Sequence, residues 1–276
     1  MASALTFETG DGTSLSGEES GEGQPIVLLH GLTAARRYVV MGSRTLERSG
    51  HRVVAYDARG HGRSAPAPTA ADYGYPPLAS DLLAVLDRLV IERATLVGAS
   101  MGAQTALRVA IERPERVAAL VLITPTFDPQ SAVDGAYAGW DRLARGLREG
   151  GVEGFLAAYE LDSVPERWRE TVATVLRQRL AAHEHPLAVA DALEAVPRSR
   201  PFEAWSDLRT VAAPTLVVAS RDEADPGHPL AVGERYAEEI PGARLSVEAP
   251  GASPLAWQGG RLSKLIAGLL AEHGGQ

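Results

Sequence analysis

A serine between two glycines is the strongest chemical signal in this sequence. Gly98-Ala99-Ser100-Met101-Gly102 has the spacing G-x-S-x-G. The apolar run at 94–99 predicts a buried strand leading into it, and the pattern at 104–111 predicts a helix directly after it. A serine in such a tight turn presents its hydroxyl above the sheet, beside the N–H groups of the helix start, so Ser100 is a candidate nucleophile. The alternatives are a plain glycine-rich turn and a phosphate-binding loop, of which the second would need a lysine and a different glycine spacing.

Two further motifs lie upstream. His30-Gly31-Leu32 follows the apolar run at 26–29, and Asp57-Ala58-Arg59-Gly60-His61-Gly62-Arg63-Ser64 begins where the run at 52–57 ends. In this order the three motifs resemble the α/β-hydrolase family, and the resemblance extends from about Leu5 to Leu270. It is nearest to the capped group that includes haloperoxidase-like enzymes and carbon–carbon-bond hydrolases. The resemblance implies an α/β fold, with an eight-stranded, mostly parallel sheet and a helical cap inserted after the sixth strand.

The same resemblance implies roles for individual residues. Ser100 would be the nucleophile, and the backbone N–H groups of Leu32 and Met101 would form the oxyanion hole, which stabilises the charge that develops on the substrate oxygen. His30 would shape its loop rather than act as a base. Arg59, His61 and Ser64 would hold their own loop together.

The carboxylate that orients a catalytic histidine has three candidates. The family keeps an aspartate just beyond the strand predicted at 215–219, where this chain has Asp222, Glu223 and Asp225. Ungapped matching favours Glu223, whereas the spacing to the following Pro229 favours Asp225. The sequence leaves this choice open.

The histidine itself departs from the family pattern. The family places it between the last strand, predicted here at 244–248, and the final helix, predicted to begin near Gly260. In that segment, Ala252 stands where the resemblance calls for histidine, and the only later histidine is His273, expected in a polar tail. Alanine cannot accept the serine proton. Either Ala252 is an engineered replacement, or another group acts as the base, or the protein does not activate its serine.

Three other histidines enter the search for a base. His228 shares the loop with the carboxylates and is the best candidate, although a turn-capping role between Pro226 and Pro229 explains it as well. His183 and His185 could project into the cleft. Their i, i+2 spacing does not put both on one helix face, which argues against a metal site.

These residues must be positioned by a sheet with helices on both faces. Apolar runs at 26–29, 52–57, 94–99, 117–123 and 215–219 predict buried strands, and the helical patterns between them favour a parallel sheet. Residues 5–8 and 14–18 predict an antiparallel hairpin at one edge. The alternation stops between 126 and 213, a stretch too long for a loop, which predicts a helical cap. We therefore expect a core formed by residues 1–125 and 214–276, with the cap at 126–213.

Composition excludes several classes of function. The 276 residues are 45% hydrophobic and 22% charged, with a formal net charge of -8 and no cysteine. The acidic balance argues against nucleic-acid and membrane partners, and the missing cysteines exclude disulfides and thiolate sites. With no signal peptide and no apolar run of membrane-spanning length, we expect a cytoplasmic protein. Only one of the 27 basic residues is lysine, which favours a bacterial source.

The sequence supports one leading hypothesis and one alternative. The first is a serine-dependent hydrolase that forms an acyl-enzyme on Ser100 with a small ester, lactone, thioester or carbon–carbon substrate. The alternative is a non-hydrolytic use of the fold, as a lyase, cyclase, other biosynthetic enzyme or ligand receptor. No motif predicts a cofactor or a metal, and the partner is a small-molecule substrate. The substrate's identity stays open, as does assembly into a homo-oligomer.

Overall fold

Eight strands form a single sheet in the computed structural model, which describes residues 2–131 and 137–273. The order across the sheet is β1-β2-β4-β3-β5-β6-β7-β8. β1 and β2 pair antiparallel, β2 pairs antiparallel with β4, and all the other pairs are parallel. The strands are β1 (Ser3–Glu8), β2 (Ser14–Ser20), β3 (Gln24–Leu29), β4 (His51–Tyr56), β5 (Ala94–Ala99), β6 (Val117–Ile123), β7 (Thr215–Val218) and β8 (Arg244–Ser246). The predicted edge hairpin and mostly parallel sheet are confirmed.

Helices connect most of the parallel strands. They are α1 (Thr45–Arg48), α2 (Tyr75–Arg88), α3 (Met101–Glu112), α4 (Ala138–Ala158), α5 (Glu166–Leu180), α6 (Pro186–Arg198), α7 (Leu230–Glu239) and α8 (Gly259–His273). Short 3-10 helices lie at Arg36–Tyr38, Ala70–Tyr73, Pro114–Arg116, Leu161–Ser163, Trp205–Thr210 and Leu255–Trp257. Within the described part of the chain, no helix combines the length and apolar character that crossing a membrane requires. His273, expected in a polar tail, instead ends α8.

Alternate side chains of the central strands fill two apolar clusters, one on each face of the sheet. On β3, Val27 and Leu29 join the cluster covered by α2, α3 and α7, whereas Ile26 and Leu28 join the cluster covered by α1 and α8. Successive side chains of a strand point to opposite faces, so a strand covered on both faces must be apolar throughout. This explains why the strands could be recognised as uninterrupted apolar runs.

The helices α4, α5 and α6 lie between β6 and β7 in the chain and form a cluster of their own. Its buried members come mainly from the inner faces of these helices, for example Phe155, Leu176 and Leu193. Two residues from the sheet side also contact it: Ala224, which follows β7, and Leu32, which follows β3. The α4–α6 cluster therefore packs over the end of the sheet where these two loops emerge.

Candidate active site

Ser100 lies in the turn between β5 and α3 with an unusual backbone conformation. Its φ of 50° and ψ of -111° place it in a region that side-chain-bearing residues rarely adopt. Such a conformation costs about 1–3 kcal/mol and persists only where the surrounding structure imposes it. Here the Ser100 N–H donates to the carbonyl of Ile123 (2.9 Å), and the Gln104 N–H donates to the carbonyl of Ser100 (3.1 Å). The serine is thereby held half-buried at the start of α3.

The two glycines of the motif are required by close packing. A Cβ atom on Gly98 would lie 2.2 Å from the carbonyl oxygen of Gly102, and one on Gly102 would lie 2.2 Å from that of Leu29. Both contacts are with backbone atoms, which cannot rotate away. The turn is thus folded tightly onto itself and onto the end of β3, and the G-x-S-x-G spacing follows from this geometry.

The loop after β3 runs directly beside the serine. A Cβ atom on Gly31 would lie 3.4 Å from both the Cβ of Ser100 and the carbonyl oxygen of Ala99. Among the described residues, the Leu32 N–H donates no hydrogen bond. Met101 is the first residue of α3, where an N–H has no partner within the helix. Two N–H groups near Ser100 are thus available to a substrate oxygen.

His30 cannot accept the serine proton because both of its ring nitrogens are occupied. Nδ1 lies 2.8 Å from the Gly31 carbonyl, to which it donates, and Nε2 accepts from the Ala58 N–H at 2.9 Å. Burial lowers the pKa of His30, which keeps the ring neutral. The ring joins the loops after β3 and β4, in keeping with the predicted loop-shaping role.

The loop after β4 is held together largely by buried polar contacts. The guanidinium of Arg59 donates to both carboxylate oxygens of Asp81 (2.8 and 2.6 Å), and a third donor reaches Asp11 at 2.9 Å. The Ser64 hydroxyl donates to the Asp57 carbonyl (2.6 Å) and accepts from a backbone N–H of β2. Both side chains stabilise the loop, as predicted.

His61 and His183 join His30 in a buried group of three rings. The ring centroid of His61 lies 5.1 Å from that of His30 and 5.4 Å from that of His183. Burial and the two neighbouring rings hold the pKa of His61 well below its usual value, and its Nε2 has no hydrogen-bond partner. The His61 Nδ1 donates to the Arg59 carbonyl at 2.9 Å. Among the described residues, no three acidic or histidine side chains are arranged to hold a metal ion.

His183 lies in the connection between α5 and α6 and does not offer a free nitrogen to the cleft. Its Nδ1 accepts from the Gly62 N–H (2.8 Å), and its Nε2 donates to the Thr33 carbonyl (3.1 Å). Burial lowers its pKa to about 4. The prediction that His183 could project into the cleft is therefore wrong, because the ring is used to join two loops of the sheet to this connection. His185, two residues on, is half-buried and its side chain makes no hydrogen bond within the described chain.

The three candidate carboxylates differ sharply in their surroundings. Glu223 is exposed and forms an ion pair with Arg167 of α5. Asp222 accepts from the Ala224 N–H at 2.9 Å, and burial, together with the charges of Asp225 and Glu248, raises its pKa. Its second oxygen is buried without a partner.

Asp225 is the carboxylate that pairs with a histidine. Its Oδ1 lies 2.7 Å from Nδ1 of His228. Burial would raise the pKa of Asp225, but the hydrogen bond from His228 and the nearby charge of Arg179 help to lower it overall. The His228 Nε2 is buried and has no hydrogen-bond partner. This pair therefore leaves one imidazole nitrogen available for proton transfer.

The buried side chain of Glu248 also organises this region. The sequence pattern predicts this residue only as the end of the last strand. β8 ends at Ser246, and Glu248 follows it with 3% of its surface exposed. It accepts from the Ser220 hydroxyl (3.0 Å), the Arg221 N–H (2.5 Å) and the Leu255 N–H (3.4 Å). Glu248 thus fixes the start of the acidic loop against the segment that follows β8.

Ala252 lies in that segment, in an exposed turn. Its N–H donates to the Ala249 carbonyl at 3.0 Å, and the preceding Gly251 has a φ of 78°. The methyl group of alanine can accept no proton.

Comparisons with known proteins fit this architecture. A family model for the alpha/beta hydrolase fold matches residues 24–259. The chain belongs to the α/β-hydrolase fold family. Several proteins that this chain matches are named hydrolases, and the chain is an enzyme of the hydrolase type. The predicted family and sheet are both confirmed.

Three relatives illustrate the similarity. A Variovorax paradoxus protein named "Putative carbamate hydrolase RutD" is 31% identical over 204 residues, which cover 74% of this chain and 75% of that protein. A "Putative non-heme haloperoxidase" of Mycobacterium phage D29 is 40% identical over 119 residues, covering 43% of this chain and 42% of the other. The structure of a thermophilic esterase from Thermogutta terrifontis superposes with a TM-score of 0.78 at 25% identity, over 98% of this chain and 99% of that one.

Proposed function

We propose that this α/β hydrolase cleaves small acyl substrates through an acyl-enzyme on Ser100. The observation that carries the proposal is the strained backbone of Ser100, with a φ of 50°, between two glycines that tolerate no Cβ atom. This backbone conformation lowers the stability of the fold, and it presents the Ser100 hydroxyl at the start of α3. Esters, lactones, thioesters and carbon–carbon substrates fit this chemistry, and the name of the Variovorax relative adds carbamates to the classes worth testing.

In the proposed reaction, the Ser100 oxygen attacks the acyl carbon and its proton passes to a base. The N–H groups of Leu32 and Met101 donate to the oxyanion that forms, and two donors of this kind contribute a few kcal/mol each. The base returns the proton to the leaving group, and water then hydrolyses the acyl-enzyme by the same path. We further propose that residues 126–213 act as the cap over this site, because the α4–α6 cluster packs against Leu32 and Ala224.

The base that we propose is His228, with Asp225 as its orienting acid. The 2.7 Å contact between Asp225 and Nδ1 fixes the ring, and the buried Nε2 has no other partner. Among the described residues, no hydrogen bond joins His228 to Ser100. Catalytic hydrogen bonds often tighten only when substrate binds, so the pair is judged by its response to substitution.

A second function is favoured by Ala252. A protein without a histidine in that segment, and without a hydrogen bond between Ser100 and a base, could use the same fold without hydrolysis, as a lyase, cyclase or receptor. Such a protein would bind its ligand equally well after Ser100→Ala and would form no covalent adduct.

Steady-state hydrolysis of p-nitrophenyl acetate separates the two functions. We expect Ser100→Ala and His228→Gln each to lower kcat by about 10³-fold or more, and Asp225→Asn to lower it substantially less than either. His185→Gln is the matched histidine control and should retain wild-type turnover. Full activity in His228→Gln would show that His228 is not the base. If the wild-type chain has no turnover and an Ala252→His variant gains it, residue 252 is the natural position of the base.

A further inference from the structure

Two opposed hydrogen bonds join the connection between α5 and α6 to the loop after β4. Nδ1 of His183 accepts from the Gly62 N–H (2.8 Å), and the Gly62 carbonyl accepts from the Glu184 N–H (2.8 Å). The His183 ring is neutral because burial lowers its pKa to about 4. Since Nδ1 is an acceptor in this contact, the single ring proton is on Nε2. The ring therefore has one N–H donor, at Nε2.

This donor begins a chain of hydrogen bonds through the loop that carries Leu32. Nε2 of His183 donates to the Thr33 carbonyl at 3.1 Å. The Thr33 carbonyl shares a planar peptide group with the Ala34 N–H, which donates to the Gly31 carbonyl at 3.0 Å. The Gly31 carbonyl in turn shares its peptide group with the Leu32 N–H. The chain thus runs from the His183 ring, across two peptide groups, to the N–H of Leu32.

The far end of this chain lies beside the candidate nucleophile. A Cβ atom on Gly31 would lie 3.4 Å from the Cβ of Ser100. The Leu32 side chain packs against an apolar cluster that contains Met101 and buried residues of α6, the helix that begins at Pro186 directly after the connection. In a trans peptide group the carbonyl and the N–H point in opposite directions. A contact that fixes the Gly31 carbonyl therefore also fixes the direction of the Leu32 N–H.

We propose that His183 positions the Leu32 N–H as an oxyanion-hole donor, so that docking of the α5–α6 connection on the loop after β3 supports acyl transfer to Ser100. The catalytic effect rests on the proposed serine mechanism, whereas the positioning does not. Hydrogen bonds in a chain polarise one another, so the His183 ring also strengthens the Leu32 N–H as a donor. Nδ1 of His30 donates to the same Gly31 carbonyl (2.8 Å). Loss of His183 should therefore misorient the Leu32 N–H only in part.

An ester and its thionoester distinguish positioning of the donor from a general loss of structure. Sulfur accepts hydrogen bonds weakly, so a thionoester gains little from an oxyanion hole. His183→Leu can neither donate nor accept. We expect it to lower kcat for p-nitrophenyl acetate about 10- to 30-fold with little change in KM, less than the loss of about 10²- to 10³-fold that follows removal of a donor. For p-nitrophenyl thionoacetate, the fall in kcat should be about twofold or less.

Two further variants complete the kinetic test. His183→Gln carries an amide that can donate to the Thr33 carbonyl and accept from the Gly62 N–H, and it should retain most of the ester turnover. His185→Leu is the matched control in the same connection and should hydrolyse both substrates as the wild type does. Equal losses on the ester and the thionoester in His183→Leu would overturn the proposal, because they would show that the ring only stabilises the fold.

Amide hydrogen exchange, followed by NMR, tests the positioning without turnover. The Ala34 N–H should exchange about 10-fold faster in His183→Leu than in the wild type, whereas the Gln104 N–H, which donates to the Ser100 carbonyl, should keep its wild-type rate. Faster exchange at Ala34 in a chain whose wild type hydrolyses no ester would support the positioning and refute the serine mechanism. An unchanged rate at Ala34 would overturn the proposal, even in a chain that hydrolyses esters. Thermal unfolding of each variant verifies that it is folded.

Discussion

Acidification should destabilise the folded protein through His183. The buried ring accepts a hydrogen bond from the Gly62 N–H at 2.8 Å and donates one to the Thr33 carbonyl at 3.1 Å. It makes both contacts only while Nδ1 is unprotonated. Burial lowers the pKa of His183 in the folded chain to about 4, against 6.5 for an unperturbed histidine. The unfolded chain therefore binds a proton at a pH where the folded chain does not.

The sign and size of the effect follow from this difference. The contribution of His183 to stability is complete above pH 6.5 and is lost as the pH falls towards the folded pKa of about 4. Between pH 7 and pH 5 the loss amounts to about 2 kcal/mol from this residue alone. The lowered pKa values of His30 and His61 act in the same direction.

Urea unfolding at pH 7 and pH 5 measures the loss. The wild-type chain should lose more free energy of unfolding than His183→Gln, whose amide can donate and accept but does not titrate, and the two losses should differ by about 2 kcal/mol. His185→Gln controls for removing a neighbouring histidine and should follow the wild type. An equal loss in wild type and His183→Gln would refute the reasoning.

Three further predictions concern stability and use the same urea assay at pH 7. Gly98→Ala should destabilise the fold by about 3 kcal/mol or more, because its Cβ would lie 2.2 Å from a backbone oxygen. Gly268→Ala in α8, where a Cβ would meet nothing within 4 Å, should stabilise the fold by about 0.5–1 kcal/mol. Equal effects of the two substitutions would contradict the packing argument. Asp81→Asn should cost about 3–5 kcal/mol because it leaves the buried Arg59 guanidinium with only the exposed carboxylate of Asp11 as its partner, and a loss below about 1 kcal/mol would contradict this. Glu248→Gln should cost about 1–3 kcal/mol by placing an amide donor among backbone and hydroxyl donors, and an unchanged unfolding midpoint would count against its organising role.

Much of the fold can be predicted from the sequence, because burial on both faces of a parallel sheet requires apolar residues throughout each strand. The runs at 94–99 and 117–123 coincide with β5 and β6 as the structure has them. The turn that carries Ser100 can also be predicted from the sequence, because close backbone packing restricts positions 98 and 102 to glycine.

Contacts between residues far apart in the chain were not predictable in this way. The hydrogen bond between Gly62 and His183 joins residues 121 positions apart, and that between Ser220 and Glu248 joins residues 28 apart. Local spacing could not choose among Asp222, Glu223 and Asp225 either. The structure separates them by their partners, which are an arginine for Glu223 and a histidine for Asp225.

The central claim, that Ser100 is an acylated nucleophile, is tested most directly by intact mass after brief incubation with p-nitrophenyl acetate. The account predicts a single acetyl adduct on the wild-type chain, none on Ser100→Ala, and a longer-lived adduct on His228→Gln, because loss of the base slows deacylation. An adduct of equal yield on Ser100→Ala, or turnover that survives this substitution, would contradict it.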